Sequence, residues 1–293
     1  MLRKLFACLS LCFLFLFAGC ATLGRRGISA EDEALLYPPA SYVPESFEWE
    51  EICPGVSRFD FENAEMPLIY HAVKIDLSFV GAGLPGPESE TESDQPLQLV
   101  FGQGESTTQF AAGGRWRGQC AVAANATPFT RSGHLVGVHK EAGELLSQPV
   151  DRYGAIGFRK VENRKGGLEA RIFASQADGE MKDWPYALGG FFTVLNGGKV
   201  REDFIRRGDS RTGVGLSADG RTLYILLVEG ERQRQSRGLS YPQCGQIFKS
   251  MGCSDALELD GGSSSELCIM GKSVLSYKVR SRQANSFGLW TAR

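Results

Sequence analysis

The stretch with the clearest chemical potential reads Ala-Leu-Glu-Leu-Asp-Gly-Gly-Ser-Ser-Ser-Glu-Leu, at positions 256–267. As a strand, it places Glu258 and Asp260 on one face, because side chains alternate between the two faces of a sheet. Two carboxyl groups at positions i and i+2 lie roughly 7 Å apart along a strand. Carboxyl pairs at that range serve glycoside hydrolysis as acid and base, or as acid and nucleophile. A solvent-facing acidic strand edge accounts for the pattern equally well.

The glycines and serines that follow suggest a site for oxyanions. Gly261 and Gly262 can adopt backbone angles closed to other residues, which lets N–H groups turn toward a bound anion. Ser263 and Ser264 add hydroxyl donors. The stretch therefore predicts a nest for phosphate or sugar oxygens, although a flexible turn has the same composition. It is not a P-loop, because the lysine after the glycines is missing.

Arginines are concentrated in a second stretch, at positions 204–213. The planar guanidinium fork matches phosphate oxygens in a bidentate way. Arg211 is the preferred phosphate ligand, because the strand predicted to begin at Thr212 would hold its base rigidly. Arg206 and Arg207 are interpreted as loop charges.

Three further positions could belong to the same pocket. Asn125 ends a run of small apolar residues that predicts a buried strand, and a buried amide needs a partner or a task. The Asn-Ala-Thr pattern is also a formal N-glycosylation acceptor, which the nearby Pro128 weakens. Ser236 and Gly238 follow the second strand of a predicted hairpin and could line the pocket beside Arg211.

The elements that must position these residues are mostly strands. Runs rich in β-branched and aromatic residues recur along the chain, and the clearest hairpin turns at Asp219-Gly220. One helix is predicted between Ser106 and Gly113, and another over 240–252. The pattern predicts an α+β fold: a mixed, predominantly β-sheet core with a few packed helices, in a single domain over 51–293.

Composition sets limits on the partners. With 42% hydrophobic residues, 23% charged residues and a formal net charge of −2, the chain is globular and has no overall attraction for nucleic acid. No cysteine or histidine spacing is typical of a zinc site. His134 and His139 flank a predicted turn and strand, and a surface position is favoured for both. Beyond the first 20 residues the chain has five cysteines, which are Cys53, Cys120, Cys244, Cys253 and Cys268. Because five is an odd number, at least one of these thiols stays free, and the sequence does not assign a pairing.

The N-terminus is interpreted as an export signal. Arg3 and Lys4 precede an apolar run that is shorter than the roughly 20 residues of a membrane-spanning helix. The run ends in Leu-Phe-Ala-Gly-Cys, which resembles a bacterial lipobox. This resemblance implies a signal peptide over 1–19, lipidation of Cys20 and a location at the bacterial cell envelope; an ordinary signal peptide is the alternative. The polar, proline-containing segment 20–50 would then be a lipid-anchored tether.

Four blocks together resemble a known family. They are CAVAANATPF, GDSRTGVGLSADGRTLYILLVEG, SRGLSYPQCGQIFKSMGCSDALELDGGSSSEL and RQANSFGLW. In order and spacing they are similar to the phosphodiester glycosidase family, over roughly residues 52–290. The resemblance implies a hydrolase that cleaves the glycosyl C–O bond of a sugar-1-phosphodiester, such as an N-acetylglucosamine-1-phosphodiester, and releases a phosphomonoester.

The resemblance, taken together with the chemistry of the residues, leads to a hypothesis for the roles of individual residues. Asp260 would act at the anomeric carbon as base, nucleophile or charge stabiliser, while Glu258 and Asn125 orient the sugar and Arg211 holds the phosphodiester. The implied substrate-binding residues are Thr212, Ser236, Gly238, Gly261, Gly262, Ser263, Ser264 and Asn285.

Two alternatives remain open at this point. Ala126, Thr127 and Pro128 stand where the family usually has glycines, as does Ser263, so the chain could be a catalytically inactive, membrane-tethered lipoprotein that binds a glycan or a sugar phosphate. The second alternative concerns cofactors: Glu258 and the nearby aspartate could bind Ca²⁺ or Mg²⁺ through oxygen ligands. The sequence does not predict an oligomeric state.

Overall fold

The computed structural model describes residues 38–82, 95–113, 118–161, 167–204, 207–279 and 282–291. The expected signal peptide, Cys20 and the first part of the expected tether lie outside these ranges, as does Arg206. Within these ranges, no helix is long and apolar enough to cross a membrane.

Strands dominate the described part of the chain, which confirms the α+β class and the β-rich core. The two α-helices are α1 (Thr107–Ala112) and α2 (Tyr241–Ser250). The strands are β1 (Glu50–Cys53), β2 (Val56–Asn63), β3 (Leu68–Asp76), β4 (Val80–Ala82), β5 (Leu97–Gln103), β6 (Cys120–Asn125), β7 (His139–Glu141), β8 (Glu144–Ser147), β9 (Ala155–Lys160), β10 (Leu168–Phe173), β11 (Tyr186–Gly189), β12 (Thr193–Asn196), β13 (Lys199–Val200), β14 (Arg211–Leu216), β15 (Thr222–Val228), β16 (Asp255–Glu258), β17 (Leu267–Ile269), β18 (Lys272–Ser273) and β19 (Asn285–Thr291).

The strands form three sheets. The eight-stranded sheet has the order β1-β2-β3-β15-β14-β16-β12-β13, the six-stranded sheet the order β18-β17-β6-β19-β5-β4, and the five-stranded sheet the order β10-β9-β11-β7-β8. Among these pairs, β4 and β5 run parallel. The predicted hairpin is confirmed as β14 and β15, with Gly220 in the left-handed region at φ 65° as the tight turn requires.

The largest apolar core lies where the three sheets face one another. Leu257 and Leu259 contribute to it from the eight-stranded side, Phe287 from the six-stranded sheet and Ile156 from the five-stranded sheet. Burial of such side chains from several sheets in one cluster is the main favourable term for folding. The site residues described below lie where the ends of these strands converge.

Both helices begin and end where the sequence predicts. Ser106 caps α1 and accepts a hydrogen bond from the main-chain N–H of Gln109, and Gly113 ends the helix at φ 68°. At the start of α2 the side-chain oxygen of Gln243 accepts a bond of 2.9 Å from the N–H of Ser240. These local signals need no tertiary contact, which is why sequence patterns locate them well.

Helix α2 lies directly on β14 because that strand carries glycines. A Cβ atom at Gly215 would come within 2.5 Å of the ring of Phe248, which projects from α2. A Cβ atom at Gly213 would lie 3.1 Å from the same ring. The close approach brings the first turn of α2, with Tyr241, next to Arg211 at the start of β14.

Candidate active site

The candidate site is built where β14 and β16 lie side by side. Gly213 pairs with Glu258 in the antiparallel register, and the N–H of Leu259 donates to the carbonyl of Thr212 at 2.8 Å. Because alternate residues share a face, Arg211 and Glu258 both lie on the side of the sheet that α2 covers. The two leucines beside Glu258 point to the opposite side, into the largest core.

The predicted strand does not reach Asp260, and this part of the prediction is wrong. Strand β16 ends at Glu258, because the N–H of Asp260 donates to the carbonyl of Ala126 at 2.9 Å instead of continuing the ladder. The side-chain amide of Asn125 donates to the carbonyl of Asp260 at 2.7 Å. The N–H and the carbonyl of Asp260 are therefore both held by the end of β6 and the residue that follows it.

Asn125 is a buried hub that links four segments. Its side chain is 1% exposed, and its Oδ1 accepts bonds of 2.9 Å from the hydroxyl of Thr212 and from the N–H of Glu266. With the bond to Asp260, the amide has partners at both ends. Asn125 and Thr212, expected to meet the substrate, thus have their side-chain polar groups engaged within the protein.

Glu258 is the most deeply buried carboxyl of the group. It is 1% exposed, and neither carboxyl oxygen has a hydrogen-bond partner among the described residues. Burial raises the pKa of Glu258 to about 8, against the opposing effect of the Arg211 charge. The group is thus neutral at pH 7, and its position behind Gly261 keeps it from solvent: a Cβ atom at Gly261 would lie 3.7 Å from Oε1.

Arg211 does not present the open fork that the sequence suggested. Its Nε donates to the carbonyl of Leu239 and its Nη2 to that of Arg207, both at 3.0 Å. The guanidinium carbon lies 3.8 Å from the ring centroid of Tyr241. Neighbouring acidic groups, Glu258 first among them, raise the pKa of Arg211 against burial. Arg211 therefore supplies a buried positive charge beside Glu258 rather than a free bidentate ligand.

Asp260 has the electrostatic character of a functional carboxyl. Burial raises its pKa to about 6, partly opposed by a hydrogen bond from Ser264. Unlike Glu258, it stays partly exposed. A carboxyl that reaches the surface and titrates near neutrality is suited to acid or base work.

The Gly261–Ser264 loop is partly closed on itself. Gly262 has φ 60°, as a glycine position requires, but its N–H donates to the carbonyl of Ser210 at 2.8 Å. The N–H of Ser264 donates to the carbonyl of Gly261 at 3.3 Å. The predicted nest of consecutive free N–H groups is therefore not formed by these two residues, and Ser263 lies exposed at the tip.

Ser236 and Gly238 contact main-chain atoms of neighbouring segments and support the site without contacting Asp260. The hydroxyl of Ser236, which is fully buried, binds the main chain of Ile69 and Glu229. Gly238 has φ 73°, and a Cβ atom there would lie 2.2 Å from the carbonyl oxygen of Asp209. The contact fixes the chain just before Arg211.

Asn285 and His139 form a further buried group. The Oδ1 atom of Asn285 accepts a bond of 2.8 Å from the N–H of Thr127, and its Nδ2 donates to the hydroxyl of Thr127 at 3.1 Å. The same Nδ2 lies 3.2 Å from Nδ1 of His139. The surface position predicted for His139 is wrong, since it is fully buried, whereas His134 is exposed. No local pattern predicts this, because β7 and β19 belong to different sheets and only the packing of those sheets brings His139 to Asn285.

A second charged group, also missed by sequence reasoning, lies beyond β15. His71 contacts Asp60 at 2.6 Å and the buried Glu229 at 3.3 Å. Glu229 also accepts bonds of 3.1 Å and 2.7 Å from the N–H and hydroxyl of Ser276. Another buried acid, Glu266, has its pKa raised to about 7 by burial and binds the hydroxyl of Ser273. His71 and Glu229 are 158 positions apart, so no local motif predicts their contact.

The described residues contain no group of three or more His, Cys, Asp and Glu side chains arranged to hold a metal ion. The five cysteines of the described part are free thiols, and all but Cys53 are buried. No disulfide therefore contributes to the part of the fold that contains the site.

Comparison with known proteins identifies the family of the chain. The sequence model of the phosphodiester glycosidase family matches residues 118–289. The chain belongs to the phosphodiester glycosidase family. The match includes β6, β14, β16 and the first part of β19, which carry or flank the site. No curated protein sequence matches the chain.

Two solved structures show that the fold of this family member is shared. A hypothetical protein from Synechocystis superposes with a TM-score of 0.59 at 16% identity, covering 84% of this chain. This chain spans 64% of the length of that protein. The catalytic domain of zebrafish N-acetylglucosamine-1-phosphodiester α-N-acetylglucosaminidase, auto-inhibited by its pro-peptide, superposes with a TM-score of 0.56 at 17% identity, covering 86% of each chain.

Proposed function

We propose that this phosphodiester glycosidase hydrolyses a sugar-1-phosphodiester at its glycosyl C–O bond, at the bacterial cell envelope. The observation that carries the proposal is Asp260, a partly exposed carboxyl whose pKa burial raises to about 6. Its main-chain N–H and carbonyl are both held, by Ala126 and by Asn125 at the end of β6. Family membership supplies the reaction class, and the envelope location rests on the lipobox-like N-terminus.

Asp260 acts at the anomeric carbon in its ionised form. The C–O bond breaks and its electron pair leaves with the phosphate, which becomes a phosphomonoester that needs little help from a general acid. As a nucleophile, Asp260 forms a glycosyl ester that water then hydrolyses; as a base, it takes a proton from water while the hydroxyl adds to the sugar. The configuration of the sugar released first, read by NMR, distinguishes the two.

Glu258 and Arg211 assist from beneath the site. Because Glu258 is neutral at pH 7, it places no second negative charge behind a phosphodiester that is itself anionic. The buried guanidinium of Arg211 keeps the local potential positive, and in a low-dielectric interior this acts over a longer distance than in water. Together they favour the charge that develops on the leaving phosphate.

The full-length chain in detergent is to be incubated with a panel of sugar-1-phosphodiesters in H₂¹⁸O. Label in the free sugar, with none in the phosphomonoester, is expected because the C–O bond breaks on the sugar side. Asp260→Asn should reduce turnover by a factor of about 10³ or more while the fold stays intact, whereas Asp255→Asn, a matched change at the start of β16, should keep most of it.

Three outcomes would contradict the proposal. Label in the phosphate would indicate a phosphodiesterase, and unchanged turnover in Asp260→Asn would remove Asp260 from the mechanism. Saturable binding of the substrates without release of sugar would instead indicate the sugar-phosphate-binding lipoprotein. The envelope location has its own test: Cys20→Ser should move the protein from the membrane fraction to the soluble fraction, and persistence in the membrane would contradict lipid anchoring.

A further inference from the structure

His139 is a fully buried histidine at the start of β7 that the reaction outlined above does not use. The groups facing its ring are Asn285, Gln103 and the ring of Phe101. Among them there is no charged side chain. Burying an imidazole costs solvation free energy, and here its hydrogen-bond partners are neutral amides, which suggests that the ring has a structural or functional role.

The hydrogen bonds fix the state of the ring. Because Oδ1 of Asn285 accepts the N–H of Thr127, its Nδ2 is the atom that faces His139, and Nδ2 can only donate. Nδ1 of His139 must therefore be the unprotonated acceptor. Burial lowers the pKa of His139 to about 4, which keeps the ring neutral across the physiological range.

From His139 a continuous set of contacts leads to Asp260. His139 accepts from Nδ2 of Asn285, and Asn285 holds both the N–H and the hydroxyl of Thr127. The residue before Thr127, Ala126, accepts the N–H of Asp260 at 2.9 Å. The carbonyl of Ala126 and the N–H of Thr127 belong to one planar peptide unit, so a displacement of Thr127 also displaces the acceptor of Asp260.

We propose that His139 is a positioning residue of the hydrolytic site, acting through Asn285 and the 125–127 loop to hold Asp260 in place. This rests on the proposed function, because Asp260 is the group being positioned. Loss of the imidazole removes the acceptor of Nδ2, so the amide of Asn285 is held by Thr127 alone and the contact that fixes residues 125–127 loosens. Water then reaches Asp260 and its ionised form becomes easier to make.

The test compares His139→Leu with His139→Asn in the full-length chain. The leucine variant removes the acceptor, whereas the asparagine variant offers Oδ1 near the position of Nδ1. We expect His139→Leu to lower kcat by on the order of tenfold to a hundredfold with KM changed less than about twofold, as misplaced catalytic groups do. His139→Asn should recover most of kcat. Val138→Ala is the matched control, because it removes buried packing one residue away without touching Asn285.

A second readout separates positioning from general loss of structure. In His139→Leu the ascending limb of the pH–rate profile should move from about pH 6 toward the ordinary aspartate pKa of about 3.9. A variant that is merely less stable lowers the amount of active protein without moving that limb. An unmoved limb, or equal kcat loss in Val138→Ala, would overturn the proposal.

Amide hydrogen exchange gives a readout that needs no turnover. The N–H groups of Thr127 and Asp260 should exchange faster in His139→Leu than in Val138→Ala. Unchanged protection would overturn the positioning role. If the wild-type chain turns over no substrate but exchange is still faster in His139→Leu, the positioning role of His139 is supported and only the proposed reaction is contradicted.

A second variant covers the case in which His139→Leu does not fold. In Asn285→Asp a carboxylate faces Nδ1 of His139 and attracts a proton, so the pKa of His139 should rise from about 4, as NMR titration would show. No rise would mean that the contact between the two side chains is absent, and the proposal would fall.

Discussion

The side-chain amide of Asn125 donates a hydrogen bond of 2.7 Å to the main-chain carbonyl of Asp260, although the two residues are 135 positions apart. Sequence reasoning selected both residues as catalytic candidates. The structure separates their roles: Asp260 reaches the surface, and Asn125 holds the peptide that carries it. One side chain is therefore available for chemistry while the other supplies rigidity.

Asn125→Leu should destabilise the protein and reduce its activity. The change leaves the hydroxyl of Thr212 and the N–H of Glu266 buried without their acceptor, at about 1–3 kcal/mol for each group. We expect a loss of about 3 kcal/mol in the free energy of unfolding, measured with urea. Thr212→Val removes one of these bonds together with its donor and should cost about 1 kcal/mol. Equal losses in the two variants would contradict the hub role of Asn125.

Activity should show a bell-shaped dependence on pH. The rate should rise through about pH 6, where Asp260 ionises, and fall above about pH 8, where Glu258 ionises and places a negative charge behind the phosphodiester. Glu258→Gln keeps a neutral side chain of similar shape, so it should retain activity near pH 7 and lose the alkaline limb. Steady-state rates from pH 4 to pH 10 check this. An alkaline limb that persists in Glu258→Gln would belong to another group.

The pair formed by His71 and Glu229 should make stability depend on pH. The pKa of His71 is raised by hydrogen bonds to Asp60 and Glu229 that outweigh burial, so its contribution is complete below its ordinary value of about 6.5 and is lost as pH rises through the raised value. The pKa of Glu229 is lowered despite burial, by His71 and Ser276, so its contribution is present above its ordinary value and is lost as pH falls through the lowered one.

His71→Gln should therefore lower the free energy of unfolding most between these two limits, and less at alkaline pH, where the wild-type imidazole is already neutral. A loss of about 3 kcal/mol near pH 6 is expected, because Glu229 is left buried without its cation. Urea unfolding at pH 5, 6, 7 and 9 would show the trend. His134→Gln, a change at an exposed histidine, is the control and should have little effect at any pH. A pH-independent loss in His71→Gln would argue against the ion pair.

Gly238→Ala should disturb the site although Gly238 does not line it. The residue has φ 73°, and the added methyl would meet the main chain of Asp209 at 2.2 Å, so the segment leading to Arg211 must move. A loss of about 3 kcal/mol is expected from the strain and the clash. Gly262→Ala is the matched control: φ is 60° there, but no atom lies within 4 Å of the added methyl, and the cost should be about 1 kcal/mol. Thermal unfolding measures both, and a similar loss in the two variants would contradict the close approach at Gly238.

The sequence could locate the features that depend on neighbouring residues. The cap at Ser106, the glycine that ends α1, the turn at Gly220 and the start of α2 follow from local backbone preferences. The dominance of strands follows from the frequency of β-branched and aromatic runs. The family resemblance rests on the same kind of information, since its blocks are contiguous in the chain, and the family match confirms it.

The tertiary structure decided what the selected residues do. Alternation along a strand paired Glu258 with Asp260, but the chain leaves the sheet after Glu258 because the loop beside Asn125 offers its peptide better partners. Arginine chemistry favoured Arg211 as a phosphate ligand, yet carbonyls from two other segments occupy Nε and Nη2. His139 became a buried residue only because the six-stranded sheet, with Asn285 and Phe101, packs against β7. In each case burial and hydrogen-bond partners come from segments distant in sequence, so the residue types were readable from the chain alone, while their solvation, charge and partners exist only in the folded protein.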